Sequence, residues 1–185
     1  MKGIVLSYAW TLLVVLTGCI QLNIPDSPGN QTMQYTLVLP SQAKTSVKNI
    51  AVAEFSSESP AKFKMLSRQG TVQQFDSFAK WSQTPSVMVS SAFRKIYGID
   101  DDDVDAEYLL EGDILTFERN LDKKTADLRI VYSVVKRSDR KVIFRKELSS
   151  SVPLKGDTPA AFAEAMSKAV IEQAEAIRKN LDTLK

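Results

Sequence analysis

The sequence predicts an α+β fold: a single domain in which a mainly antiparallel sheet is packed by two principal helices, one of them long and C-terminal. Three observations predict it. Thr84-Pro85 and Thr158-Pro159 each place a capping hydroxyl before a proline at the first helical position, and each opens a stretch with apolar residues at spacings of three and four. Between those stretches lie three runs of β character, residues 108–117, 128–136 and 141–152, separated by short polar turns that favour antiparallel neighbours. Strands and helices also occur in separate blocks, which points to a sheet layer covered by helices.

The elements follow in chain order. Residues 1–18 read as a lipoprotein signal peptide: Lys2 gives a positive start, and residues 4–16 form an apolar run broken only by Ser7 and Thr11. At about 1.5 Å per residue that run makes about 20 Å of helix, short of the roughly 30 Å hydrocarbon core of a bilayer. Leu16-Thr17-Gly18-Cys19 then matches the bacterial lipobox, a Leu and two small residues before Cys. The match implies cleavage between Gly18 and Cys19 and a covalent lipid on Cys19, the chain's single cysteine. A lone thiol in an exported protein is otherwise a reactive liability. Several acyl chains, each contributing about 0.8 kcal/mol per buried methylene, hold a protein far more durably than one. Residues 19–33 follow as the lipidated N-terminus and a flexible tether, in which Pro25, Pro28 and Gly29 disfavour both helix and central strand. Residues 20–32 have an r.m.s. span of about 20 Å as flexible chain.

Residues 34–185 carry the domain. A first strand is expected over residues 34–39, with Tyr35, Leu37 and Leu39 alternating before Pro40, and a second over residues 49–55. Residues 63–68 and 71–76 flank Gly70 as a hairpin. The first helix runs from Pro85 to a stop at Gly98, and its stripe of Met88, Val89, Ala92, Phe93 and Ile96 is expected to pack on the sheet. Asp100 to Asp103, with Asp105 and Glu107, lack the alternation, central glycine and closing glutamate of a calcium loop and read as a solvated connection. In the middle β run, Leu128, Ile130, Tyr132 and Val134 share one face. The final helix brings Phe162, Met166, Val170, Ala174, Ile177, Leu181 and Leu184 to one side, with no glycine or proline after Pro159.

Composition excludes more chemistry than it suggests. The formal charge of +2 falls to +1 once Lys2 is removed, so nothing attracts nucleic acid by bulk electrostatics. With no histidine, no second cysteine, no glycine-rich phosphate loop and no Gly-x-Ser-x-Gly elbow, the usual constellations for metal, thiol, nucleotide or triad chemistry are absent from the sequence. The chain is therefore expected to be noncatalytic, without metal or cofactor apart from the lipid on Cys19; hydrolysis by carboxylates alone is the residual enzymatic reading. Candidate docking residues are Tyr35, Leu37 and Leu39, on what would be an exposed edge strand able to accept a partner strand. Trp81 is a further candidate, although a tryptophan beside a helix start is commonly packing.

The order of lipobox, proline-containing tether, Tyr35-Thr36-Leu37, Ile50-Ala51-Val52, a strand pair leading into Trp81, Pro85 opening a helix, Tyr108-Leu109-Leu110-Glu111-Gly112 and a long C-terminal helix resembles the ABC-type transport auxiliary lipoproteins. That family includes the outer-membrane lipoprotein of the paraquat-inducible MCE-domain system. The resemblance implies a periplasm-facing lipoprotein that works with an ABC permease, an ATPase and an MCE-domain protein in moving lipids or other hydrophobic substrates through the bacterial envelope, with a homo-oligomer as one form. A different envelope-assembly machinery is the alternative partner. Ile20 and Gln21 follow the cysteine, so the aspartate that retains enterobacterial lipoproteins at the inner membrane is missing, which favours the outer membrane. The chain departs from the family pattern in its shorter, charged hairpin after Phe63 and in the acidic run from Asp100, both in loops where recognition varies.

Overall fold

A computed structural model of the chain describes residues 32–40, 47–59, 61–99 and 105–182. Leu184, the run from Asp100 to Asp103, and Gly18 and Cys19 lie outside those residues. Eight strands and two helices follow one another as β1 (Met33–Tyr35), β2 (Ile50–Val52), β3 (Ser56–Ser57), β4 (Lys64–Gln69), β5 (Val72–Trp81), α1 (Pro85–Tyr97), β6 (Tyr108–Asn120), β7 (Thr125–Lys136), β8 (Val142–Pro153) and α2 (Pro159–Leu181). The α+β class and the long C-terminal helix are as the sequence predicts.

The longest ladders are antiparallel, β6 with β7 and β7 with β8, as is the β4–β5 hairpin. The sheet order is β1-β5-β4-β6-β7-β8, and β2 and β3 also pair with β6. Because β7 occupies one edge of β6 throughout, β2, β3 and β4 lie in succession along the other, at Tyr108–Leu110, Asp113–Ile114 and Arg119–Asn120, all parallel to it. Parallel pairing of β1 with β5 makes the sheet mixed. Two expected strands are shorter than their patterns. The segment over residues 34–39 is strand only to Tyr35, since the Val38 amide donates to the Ser167 hydroxyl on α2 at 2.9 Å instead of to a strand. The segment over residues 49–55 breaks after Val52, where the Phe55 amide donates to the Ser90 hydroxyl on α1 at 2.8 Å.

The helix ends form where the sequence places them. Thr84 Oγ1 accepts from the Val87 amide and Thr158 Oγ1 from the Ala161 amide, each ahead of its proline. Past α1, Gly98 takes the left-handed conformation (φ 63°), and the amides of Gly98 and Ile99 return to the carbonyls of Lys95 and Arg94. This pair of bonds is a Schellman closure. The stripe on α1 and the stripe of α2 from Phe162 to Leu181 are buried in one core with Leu110, Ile114, Leu128, Ile130, Tyr132 and Val134. Each buried Val, Leu, Ile, Phe or Met among them contributes about 1.5–3 kcal/mol by leaving water. In β6 the buried positions step from Ile114 to Phe117, an odd interval set by a bulge at Leu115, which is turned outward. Gly112 is required by space: a Cβ there would fall 2.7 and 2.8 Å from Cδ2 and Cζ of Phe55, and closer still to Cε2. The Phe55 ring packs against Gly112 at this point and stands edge-on to Phe93, 5.4 Å between centroids.

Candidate docking and ligand site

The residues singled out for docking converge on the β1–β5–β4 side of the sheet. Register pairs Tyr35 with Trp81 across β1 and β5. Trp81 is 2% exposed and meets Phe117 and Phe162 edge-on at 5.2 and 5.4 Å between centroids. Leu37 is also buried, whereas Tyr35 and Leu39 are half-buried against the core. Leu37 and Trp81 are therefore committed to packing, Tyr35 and Leu39 keep only partial exposure, and the most exposed apolar side chains of this segment are Met33 and Val38. The edge that the sequence suggests for strand addition is reduced to the three residues of β1 for the reason given above.

A cavity of about 480 Å³ opens beside this segment. Its lining includes Phe63, Phe75 and Trp81 together with Lys62, Lys64 and Lys80. Lys64 and Lys80 are direct partners across the β4–β5 pair, and Gln34 on β1 is the partner of Lys80 on its other side, so these three side chains leave one face of the sheet together. Lys64 Nζ lies 5.6 Å from the Phe75 ring centroid. Among the described residues none of the three lysines forms an ion pair. The neighbouring carboxylate of Asp76 is turned to its own backbone, accepting from the amides of Phe78 and Ala79 at 2.9 and 2.8 Å. Those bonds hold an irregular stretch of β5 between Phe75 and Lys80 that has left its ladder with β4. The stretch lets Ala79 and Trp81 face the core while Phe75 and Phe78 stay 42% and 54% exposed. The Lys62-Phe63-Lys64 alternation and Lys80-Trp81 were visible in the sequence as charge within a hairpin, but their meeting depends on strand register.

The corner is fastened to the rest of the sheet by polar groups. Arg68 on β4 grips Glu118 on β6 with Nε and Nη2, at 2.5 and 3.0 Å. That hydrogen bond, ahead of simple charge attraction, raises the Arg68 pKa above its ordinary value, with burial opposing. Arg119 Nε donates to Ser67 Oγ at 2.9 Å, and the Gly70 amide donates to Asp122 Oδ2 at 2.6 Å. Deeper in, the Tyr97 hydroxyl donates to the Ala174 carbonyl at 2.8 Å and joins α1 to α2. Burial, then the neighbouring Tyr132, pushes its pKa well up. Among the described residues no group of His, Cys, Asp or Glu could hold a metal ion, and no helix is long and apolar enough to cross a membrane.

A family model described as the ABC-type transport auxiliary lipoprotein component matches residues 64–178, from the start of β4 into the last turns of α2. The chain belongs to that family. The ABC-type transport auxiliary lipoprotein fold is also found in crystal structures. A Xanthomonas campestris protein of the DUF330 family superposes with a TM-score of 0.63 at 18% identity, covering 85% of this chain and 90% of that one. An uncharacterized protein gives a TM-score of 0.69 at 7% identity, with 82% and 99% covered. A subunit of the PelC dodecamer from Paraburkholderia phytofirmans gives 0.41 at 10% identity, over 73% and 90%. At these identities the first two likenesses establish the fold alone. A search of curated protein sequences gives no match.

Proposed function

We propose that this auxiliary lipoprotein is a noncatalytic, lipid-anchored subunit of an ABC/MCE-type transporter that moves lipid or another hydrophobic substrate through the envelope. The observation that carries the reading is the family match over residues 64–178, which takes in the helices and every strand from β4 onward. The lipobox at Leu16-Thr17-Gly18-Cys19 supports cleavage after Gly18, acylation of Cys19 and attachment to a membrane, and Ile20 and Gln21 support the outer membrane with the domain facing the periplasm. The segment from Cys19 up to the start of β1 at Met33 acts as the tether. The domain's task is then to dock the MCE-domain protein or permease, with the half-buried Tyr35 and Leu39 on the docking segment.

The reading is tested by cross-linking membranes of cells that make the full-length chain and purifying it under denaturing conditions. Recovery of a permease, ATPase or MCE-domain protein in the adducts supports it. Recovery of polysaccharide or pilus machinery alone would assign the chain to another envelope assembly.

A further inference from the structure

We propose that the cavity beside Trp81 is a binding site for an anionic lipid, with the phosphate held by Lys62, Lys64 and Lys80 and the first part of an acyl chain laid on the exposed rings of Phe63 and Phe75, next to the buried Trp81. The inference rests on the proposed handling of hydrophobic substrates but concerns a different act, contact between this subunit and the lipid itself. Three observations carry it. The cavity's volume of about 480 Å³ lies within the range of small-molecule sites, roughly 300–1,000 Å³. Its lining joins three aromatic rings to three ammonium groups, with no Asp or Glu in it. Lys64 and Lys80 stand directly opposite each other across a strand pair, an arrangement that disfavours the empty fold through like-charge repulsion. An anion between them turns that repulsion into attraction.

Each feature selects against a simpler occupant. A free phosphate would be served by the lysines and gain nothing from the rings. A neutral acyl chain would be served by the rings, while Lys64 and Lys80 would remain opposed. An amphiphile with a phosphate at one end uses both, and an open cavity mouth lets its remaining chain stay outside. Lys64 already lies over the Phe75 ring, which holds the ammonium at the boundary between the polar and apolar parts.

Trp81 makes the test direct, because the chain has two tryptophans and the other is Trp10. The processed lipoprotein, from which cleavage after Gly18 removes Trp10 and leaves Trp81 as the tryptophan, is placed in phosphatidylcholine nanodiscs doped with phosphatidylglycerol brominated near the start of its chains, and Trp81 fluorescence is followed as the dopant increases. Saturable quenching is expected with brominated phosphatidylglycerol and none with brominated phosphatidylcholine. Lys64→Gln combined with Lys80→Gln should shift the midpoint by about thirtyfold, at roughly one kcal/mol for each lysine. The same double variant should melt no lower than the parent, which shows that it folds. Phe63→Ser, at an exposed ring, should weaken quenching without removing the lysines. Equal quenching by both lipids, or an unchanged midpoint in the double variant, would overturn the proposal. So would inorganic phosphate that alters Trp81 emission while the brominated lipid has no effect, since the site would then take a free anion. The cross-linking test of transporter membership uses no lipid probe, so the two readings fail separately.

Discussion

Gly112→Ala tests how the Phe55 ring packs on β6. The added methyl would sit under 3 Å from Cδ2 and Cζ of Phe55. That ring has little room to retreat: it is 2% exposed, its amide is fixed to Ser90, and Phe93 stands against it at 5.4 Å between centroids. Inserting a methylene into such a packed site costs about 1–3 kcal/mol, partly offset by the roughly 0.5–1 kcal/mol that alanine gains over glycine within a strand. A net loss of about 1–2 kcal/mol is expected, which lowers the thermal midpoint by about 2–4 °C for each kcal/mol in a domain of this size. Phe55→Ala alone should cost more, about 3–5 kcal/mol. Combined, the two changes should cost less than their sum by about 1 kcal/mol or more, because the methyl then occupies space vacated by the ring. Urea titration of all four proteins, with equal m-values, measures this coupling. Strictly additive losses, or a Gly112→Ala protein as stable as the parent, would refute the crowding argument.

Burial raises the Tyr97 pKa in the fold, so stability is fully present below the unfolded tyrosine pKa of about 10 and is lost as pH rises toward the folded value. Tyr97→Phe should cost about 1 kcal/mol at pH 7 through the lost bond to Ala174, yet flatten the decline above pH 10 by about 1.4 kcal/mol per unit; denaturant midpoints from pH 7 to 11 check both parts. Arg68→Met leaves Glu118, whose side chain is 7% exposed, without its guanidinium, but the 36% exposure of Arg68 tempers the loss to about 1–2 kcal/mol. An unchanged urea midpoint would contradict that. Cys19→Ser should keep the thermal midpoint and abolish both fatty-acid labelling and membrane retention. Continued labelling would place the anchor elsewhere.

The two helices and the β6–β7–β8 meander were legible because their information is local. Thr84-Pro85, Gly98 and Thr158-Pro159 fix helix ends through bonds to residues three or four positions away, and the alternation from Leu128 to Val134 matches the buried face of β7. The parallel contacts of β1 to β4 were not legible. Two- and three-residue strands have too little pattern, and their pairing depends on side chains far along the chain: Ser167 takes the Val38 amide, and Ser90 takes the Phe55 amide. Both serines are buried polar residues on otherwise apolar helix faces, a signal that could have marked where a strand ends. At the candidate site, Trp81 could be recognised by its place before the helix, but the opposition of Lys64 and Lys80 depends on the irregular ladder of β5. No periodicity in the sequence reports that register.

The central claim, that this auxiliary lipoprotein docks on a transport complex, is tested most directly by a photo-crosslinking amino acid placed at Leu39, with a second at Val142, which is 54% exposed on β8, for comparison. After irradiation of living cells, the adducts are identified by mass. The account predicts that the Leu39 adduct contains an MCE-domain protein or the permease of one ABC system. Adducts at both positions that contain only proteins of another assembly would contradict it.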